Sequence, residues 1–157
     1  MTTEQKHQIK EWTDYFLDMA KMCASRSNCL RSQVGAVIVG DDKKIKATGY
    51  NGTPSQVESC YERGVCYRIE NNIPSGTRYE TCRSIHAEQN AIIQAGQDRC
   101  KGSTMYIYGH NFICILCKRF IVQAGIKDVY LKKDDNSQIE YVTVEQIKKE
   151  LSDNYNR

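Results

Sequence analysis

A chain of 157 residues, 40% of them hydrophobic, can bury one core and is too short for two sizeable ones, so a single domain over residues 1–157 is expected. Twenty-two Lys and Arg against nineteen Asp and Glu leave a formal charge of +3, which argues against a nucleic-acid surface and suits a small anionic ligand. The first residues are polar and no apolar stretch approaches membrane-spanning length, so neither a signal peptide nor a transmembrane helix is expected and the default compartment is the cytoplasm; there, eight Cys read as metal ligands or buried thiols rather than a disulfide framework.

Between residues 4 and about 29, Ile9, Trp12, Phe16, Met19, Ala20 and Cys23 recur at three- and four-residue steps, predicting a helix with one buried stripe that takes Trp12 and Phe16 into the core. The apolar run 34–39 and the segment 45–50, separated by Gly40-Asp41-Asp42-Lys43, read as a hairpin. Residues 53–83 read as a long loop with one helical turn near 62–71, broken by Ile73-Pro74-Ser75-Gly76; loops of that length in a small domain are usually functional. Residues 86–95 are helical and stop at Gly96, 104–108 form a strand, 114–124 are helical and stop at Gly125, and 127–131 form another strand. A short strand at 140–142 and a charged helix over 143–153 close the chain. This order predicts an α/β fold, a three-layer α/β/α sandwich around a mixed five-stranded sheet.

Two motifs carry chemistry. His86-Ala87-Glu88 supplies an imidazole and a carboxylate, and Cys114-Ile115-Leu116-Cys117 supplies two thiolates. One His and two Cys make three zinc ligands with an open position, the pattern of a catalytic rather than a closed structural site. Water at that position is acidic enough to furnish hydroxide near neutral pH. Residues two apart on a helix do not share a face, so His86 can reach a metal while Glu88 approaches the water from the side. Both motifs fall where helices are predicted to begin, so two positive dipole ends converge on the site and favour thiolates.

The combination of H-x-E with C-x-x-C is the signature of zinc deaminases, in which the Glu is a general acid/base and not a ligand. Further segments extend the match: Ser25-Arg26-Ser27-Asn28-Cys29-Leu30-Arg31, Val34-Gly35-Ala36-Val37-Ile38-Val39, Gly49-Tyr50-Asn51-Gly52-Thr53-Pro54, Arg83-Ser84-Ile85-His86-Ala87-Glu88-Gln89-Asn90-Ala91-Ile92 and Ala124-Gly125-Ile126. Together they resemble the cytidine/deoxycytidylate deaminase family, and within it the zinc-dependent dCMP deaminases. One departure stands beside the metal motif: the family places Pro before the first Cys ligand, and this chain has Ile113, preceded by a segment about two residues longer than usual that contains His110. His110 either lines the altered wall or is an exposed loop residue.

The resemblance implies hydrolytic deamination of a cytosine nucleotide, foremost dCMP to dUMP with release of ammonia, a supply of dUMP for thymidylate synthesis. It assigns His86, Cys114 and Cys117 to Zn2+, Glu88 to proton transfer, Asn51 and Gly52 to the sugar, the Ala87 N–H to the base carbonyl, and Arg26 to the phosphate, with Arg31, Lys43, Arg78 and Arg83 as lesser alternatives. It also implies a second, structural zinc held by Cys29, Cys60, Cys66 and Cys82, a homo-oligomer (hexamer or dimer), and regulation by dCTP with Mg2+ and by dTTP. The competing readings are a deaminase of cytidine, CMP, dCTP or a tRNA base, and a noncatalytic zinc protein on the same fold.

Overall fold

In the computed structural model, which describes residues 6–154, five strands form one mixed sheet in the order β2-β1-β3-β4-β5. Strand β1 (Gly35–Val39) pairs antiparallel with β2 (Ile45–Tyr50) and with β3 (Thr104–Tyr108); β3 runs parallel to β4 (Asp128–Lys132), which pairs antiparallel with β5 (Glu140–Thr143). Every residue of β1 is buried, as its unbroken apolar sequence requires of a strand covered on both faces.

Helix α1 (Trp12–Ala24) covers one face of the sheet, packing Phe16, Leu17 and Ala20 against Val37, Val39 and Tyr106. The long loop after β2 carries two short helical turns, α2 (Cys60–Arg63) and α3 (Tyr67–Glu70), and the other face of the sheet is covered by α4 (Ala87–Ala95), α5 (Gln97–Cys100), α6 (Ile115–Ala124) and α7 (Val144–Asn154). The larger core forms there, where Ala36, Ile38, Met105 and Ile107 meet Ala91, Cys117, Ile121 and Ile147. This is the expected three-layer arrangement. Among the described residues, no helix is long and apolar enough to cross a membrane.

The first helix is shorter than its periodicity predicts. Ile9 continues the stripe but is 79% exposed, because nothing in the sheet reaches that far, and a helical turn without burial has little to hold it. At the other end Ser27 and Asn28 turn away to the segment after β2: the Ser27 hydroxyl donates to the Asn51 carbonyl at 2.8 Å, and Asn28 Oδ1 accepts the Thr53 N–H at 3.2 Å. Trp12, expected in the core, is 52% exposed at the first turn and stacks on Phe16 with ring centroids 5.6 Å apart. Residues 4 and 5 of the expected helix lie outside the described residues.

Gly49 brings the sheet against the helix that carries the His-Ala-Glu motif. A Cβ there would sit 2.3 Å from the Ala87 carbonyl oxygen and 2.6 Å from the Ala91 nitrogen, so only glycine lets α4 lie this close on β2.

Candidate active site

His86 and Cys114 are the residues that cap α4 and α6, both in extended backbone conformation immediately before the first helical turn. The two helices therefore start at the same place, as expected. His86 Nδ1 lies 3.3 Å from the sulfurs of Cys114 and of Cys117, and the three ligand atoms fall within 4.8 Å of one another. Tetrahedral zinc with bonds of about 2.0–2.3 Å sets its ligand atoms roughly 3.5 Å apart, so this donor set fits zinc in both chemistry and spacing. Cys117 donates its backbone N–H to the Cys114 sulfur at 3.4 Å, and the His86 N–H is taken up by Gln89 Oε1 at 2.9 Å, which fixes both ends of the cluster to their helices.

Glu88 is only 5% exposed and lines the same cavity as His86 and Cys114. Burial, the largest influence, holds its carboxyl above the ordinary range, against the opposing pull of a hydrogen bond with Cys117 and the His86 charge. The hydrogen bond with Cys117 pushes the Cys114 thiol down, and the same bond together with burial pushes Cys117 up. For His86, burial pulls downward, but the hydrogen bond and charge of Cys114 more than offset it, so the imidazole stands above its ordinary value. A buried carboxyl beside three soft ligand atoms is arranged for proton transfer next to a metal.

The segment between α1 and β1 and the long loop also line the cavity. Asn51 is 8% exposed at its wall, with Oδ1 accepting the Val34 N–H at 2.9 Å and Nδ2 donating to the Ser32 carbonyl at 2.7 Å. Gly52 exchanges two backbone hydrogen bonds with Ile85, which ties the loop after β2 to the residue preceding His86. Ala87 is fully buried and also lines the cavity. His110 is half-buried there rather than exposed, its imidazole lowered by burial and by the proximity of His86. Ile113 is 6% exposed and packs into the main core, so the residue that replaces the family's Pro faces inward, and His110, Phe112 and Cys114 form the wall at that point.

Arg26 is exposed and is not among the residues lining the cavity. Of the alternatives, Arg31 lines it, whereas Lys43, Arg78 and Arg83 are exposed elsewhere. Cys29, Cys66 and Cys82 line this cavity, and Cys60, Cys66 and Cys82 line an adjoining one. Burial raises the Cys60 thiol, and its neighbours Cys66, Cys29 and Cys82 contribute to the shift, but among the described residues only His86, Cys114 and Cys117 gather at ligand spacing. No cysteine is in a disulfide.

Two wall residues escape the sequence motifs. Tyr79 meets His86 in an edge-to-face contact, with centroids 4.8 Å apart, and the Arg68 guanidinium lies over the Tyr79 ring, 5.0 Å from its centre. Both belong to the long loop, whose irregular backbone leaves no periodic signal; the only hint is that a loop of such length is usually functional.

Residues 10–133 match the model of the cytidine and deoxycytidylate deaminase zinc-binding region. The chain is 42% identical over 118 residues to the deoxycytidylate deaminase of Schizosaccharomyces pombe, covering 75% of this chain and 36% of that protein, so it spans about a third of that relative's length. It is 36% identical over 136 residues to the human deoxycytidylate deaminase, covering 85% of this chain and 71% of that protein. The crystal structure of dCMP deaminase from cyanophage S-TIM5, in complex with dCMP and dUMP, superposes with a TM-score of 0.56 at 28% identity over 80% of this chain and 83% of that one. Since the family model spans most of the chain, the chain belongs to the family of the cytidine and deoxycytidylate deaminase zinc-binding region.

Proposed function

We propose that this protein is a zinc-dependent hydrolase that converts dCMP and water to dUMP and ammonia. The observation that carries the reading is Glu88, a carboxyl buried against His86 and Cys117 at the mouth of two helices, in a chain similar to deoxycytidylate deaminases. His86, Cys114 and Cys117 would hold the zinc, which when bound supplies Lewis acidity and makes water available as hydroxide near neutral pH.

The chain's own residues then do the following. Glu88 accepts a proton from the attacking water and delivers it to N3 of the cytosine, which draws electrons from C4 as the C4–O bond forms. Glu88 then takes the remaining proton from the new C4 hydroxyl and passes it to the amino group, the C4–N bond breaks as the C4 carbonyl forms, and ammonia leaves. Its raised pKa suits both duties, because it strengthens the carboxylate as a base and brings the group nearer the operating pH, where one side chain can both take up a proton and give it back. The Ala87 N–H, at the start of α4, would hold the base carbonyl, and Asn51 would hold the sugar, with Gly52 letting the backbone pass close by.

Three finer features extend the reading. The thiols of Cys29, Cys60, Cys66 and Cys82, gathered around two adjoining cavities, would close on a second, structural zinc that pins the long loop. The protein would work as a homo-oligomer, hexamer or dimer, in the cytoplasm. It would answer to dCTP with Mg2+ and to dTTP, as the family resemblance implies. The test is ammonia release from dCMP, CMP, deoxycytidine, dCTP and tRNA, each with and without dCTP or dTTP: rapid release from dCMP supports the assignment, and release from tRNA alone overturns it.

A further inference from the structure

Arg68 is 4% exposed, yet no carboxylate pairs with it among the described residues. Burying an unpaired guanidinium is costly, and such groups are rare unless something neutralises them. Its hydrogen bonds all run to neutral oxygens: Nη1 donates to the Arg78 carbonyl at 2.6 Å and to the Thr81 hydroxyl at 3.0 Å, and Nη2 to the Pro74 carbonyl at 3.2 Å. These orient the fork without balancing its charge. Nε and the remaining Nη2 hydrogen have no protein acceptor among the described residues, so two donors of a held guanidinium are left over.

The group also lies in a telling place. It lines the cavity that holds Glu88, and Tyr79 packs against both it and His86. Arg31 adds a second guanidinium to the same wall, with Nη1 already donating to the Ile73 carbonyl at 2.7 Å, and Glu88 is the one carboxyl among the lining residues. We infer that Arg68 is a specificity-determining residue: its buried, oriented guanidinium receives the phosphate of a nucleoside monophosphate and so selects the nucleotide over the free nucleoside. This rests on the deaminase reading and assigns its phosphate contact to the long loop, in place of the exposed Arg26.

The test uses the zinc-loaded full chain and compares wild type with Arg68→Gln and Arg68→Lys. The readouts are kcat/KM for dCMP and for deoxycytidine by ammonia release, and calorimetric affinities for dUMP and deoxyuridine. Losing a charge-assisted, paired contact should lower the dCMP to deoxycytidine ratio of kcat/KM about ten- to one-hundred-fold, mostly through KM, and weaken dUMP relative to deoxyuridine by a similar factor. Arg68→Lys should recover only part of the ratio, since an ammonium cannot reproduce the fork. Thr81→Val removes one of the oxygens that hold Arg68 without removing charge, and reports what loosening the loop alone does to both substrates. An equal loss on nucleotide and nucleoside in Arg68→Gln, matching Thr81→Val, overturns the inference. So does a wild-type protein that binds dUMP no better than deoxyuridine, a measurement that needs no variant to fold. Absence of turnover on either substrate, with a dUMP preference that depends on Arg68, would refute the deaminase reading and leave the phosphate site standing.

Discussion

Gly52 and Ile85 face each other across two backbone hydrogen bonds, the Gly52 N–H to the Ile85 carbonyl at 3.1 Å and the Ile85 N–H to the Gly52 carbonyl at 2.8 Å. This small bridge joins the loop after β2 to the residue before His86 and so couples the cavity wall to the start of α4. A Cβ on Gly52 would stand 2.8 Å from Asn28 Oδ1, the atom that accepts the Thr53 N–H. Gly52→Ala should therefore push the bridge apart, with a stability loss of about 1–3 kcal/mol and a rise in KM larger than the fall in kcat. Denaturant unfolding and steady-state kinetics on the same preparation check it.

Asn51 holds the other end of that wall through Val34 and Ser32. Asn51→Ala leaves the buried Val34 N–H without its partner, at about 1–3 kcal/mol, and frees the part-buried Ser32 carbonyl at a smaller cost. The variant should have a lower melting temperature even in the absence of nucleotide. A variant as stable as wild type would show that Asn51 acts only on the substrate.

Gly49 separates stability from metal binding less cleanly. Gly49→Ala places a methyl against the Ala87 carbonyl and the Ala91 nitrogen, both backbone groups that cannot swing aside. Helix α4 must shift, and His86 at its cap shifts with it. The expected outcome is weaker zinc retention during dialysis against a chelator, together with a stability loss of about 1–3 kcal/mol.

The parts of the architecture that repeat or alternate were legible before any coordinates. The apolar run of β1, the glycine stops at Gly96 and Gly125, and the metal motifs at the starts of α4 and α6 all stand where their sequence places them. The end of α1 was not, because Ser27 and Asn28 are compatible with a helix and are drawn out of it only by partners more than twenty residues away. Trp12 shares the periodicity of Phe16 but lies one turn beyond the sheet's cover. Arg68 was invisible for a related reason: its significance lies in the missing carboxylate around it, and neighbours are a property of the fold rather than of the local sequence. Ile113 could be flagged as a departure from the family, but only packing reveals that it points into the core.

Metal counting addresses the four loop thiols. If Cys29, Cys60, Cys66 and Cys82 close on a second ion, the purified protein should carry two zinc ions per chain, and Cys66→Ser should lower the count to one while the loop from residue 53 to 83 becomes more susceptible to protease. A count of one in wild type, unchanged in Cys66→Ser, would leave these cysteines as buried thiols.

The central claim, that Glu88 moves the protons of a deamination beside a zinc held by His86, Cys114 and Cys117, is tested most directly by Glu88→Gln assayed with dCMP at measured zinc occupancy. The substitution keeps the shape of the buried side chain and removes its capacity to exchange a proton. Zinc content should match wild type, and kcat should fall by about 10²–10⁴-fold or more. Ammonia release at the wild-type rate from a zinc-loaded Glu88→Gln protein would contradict it.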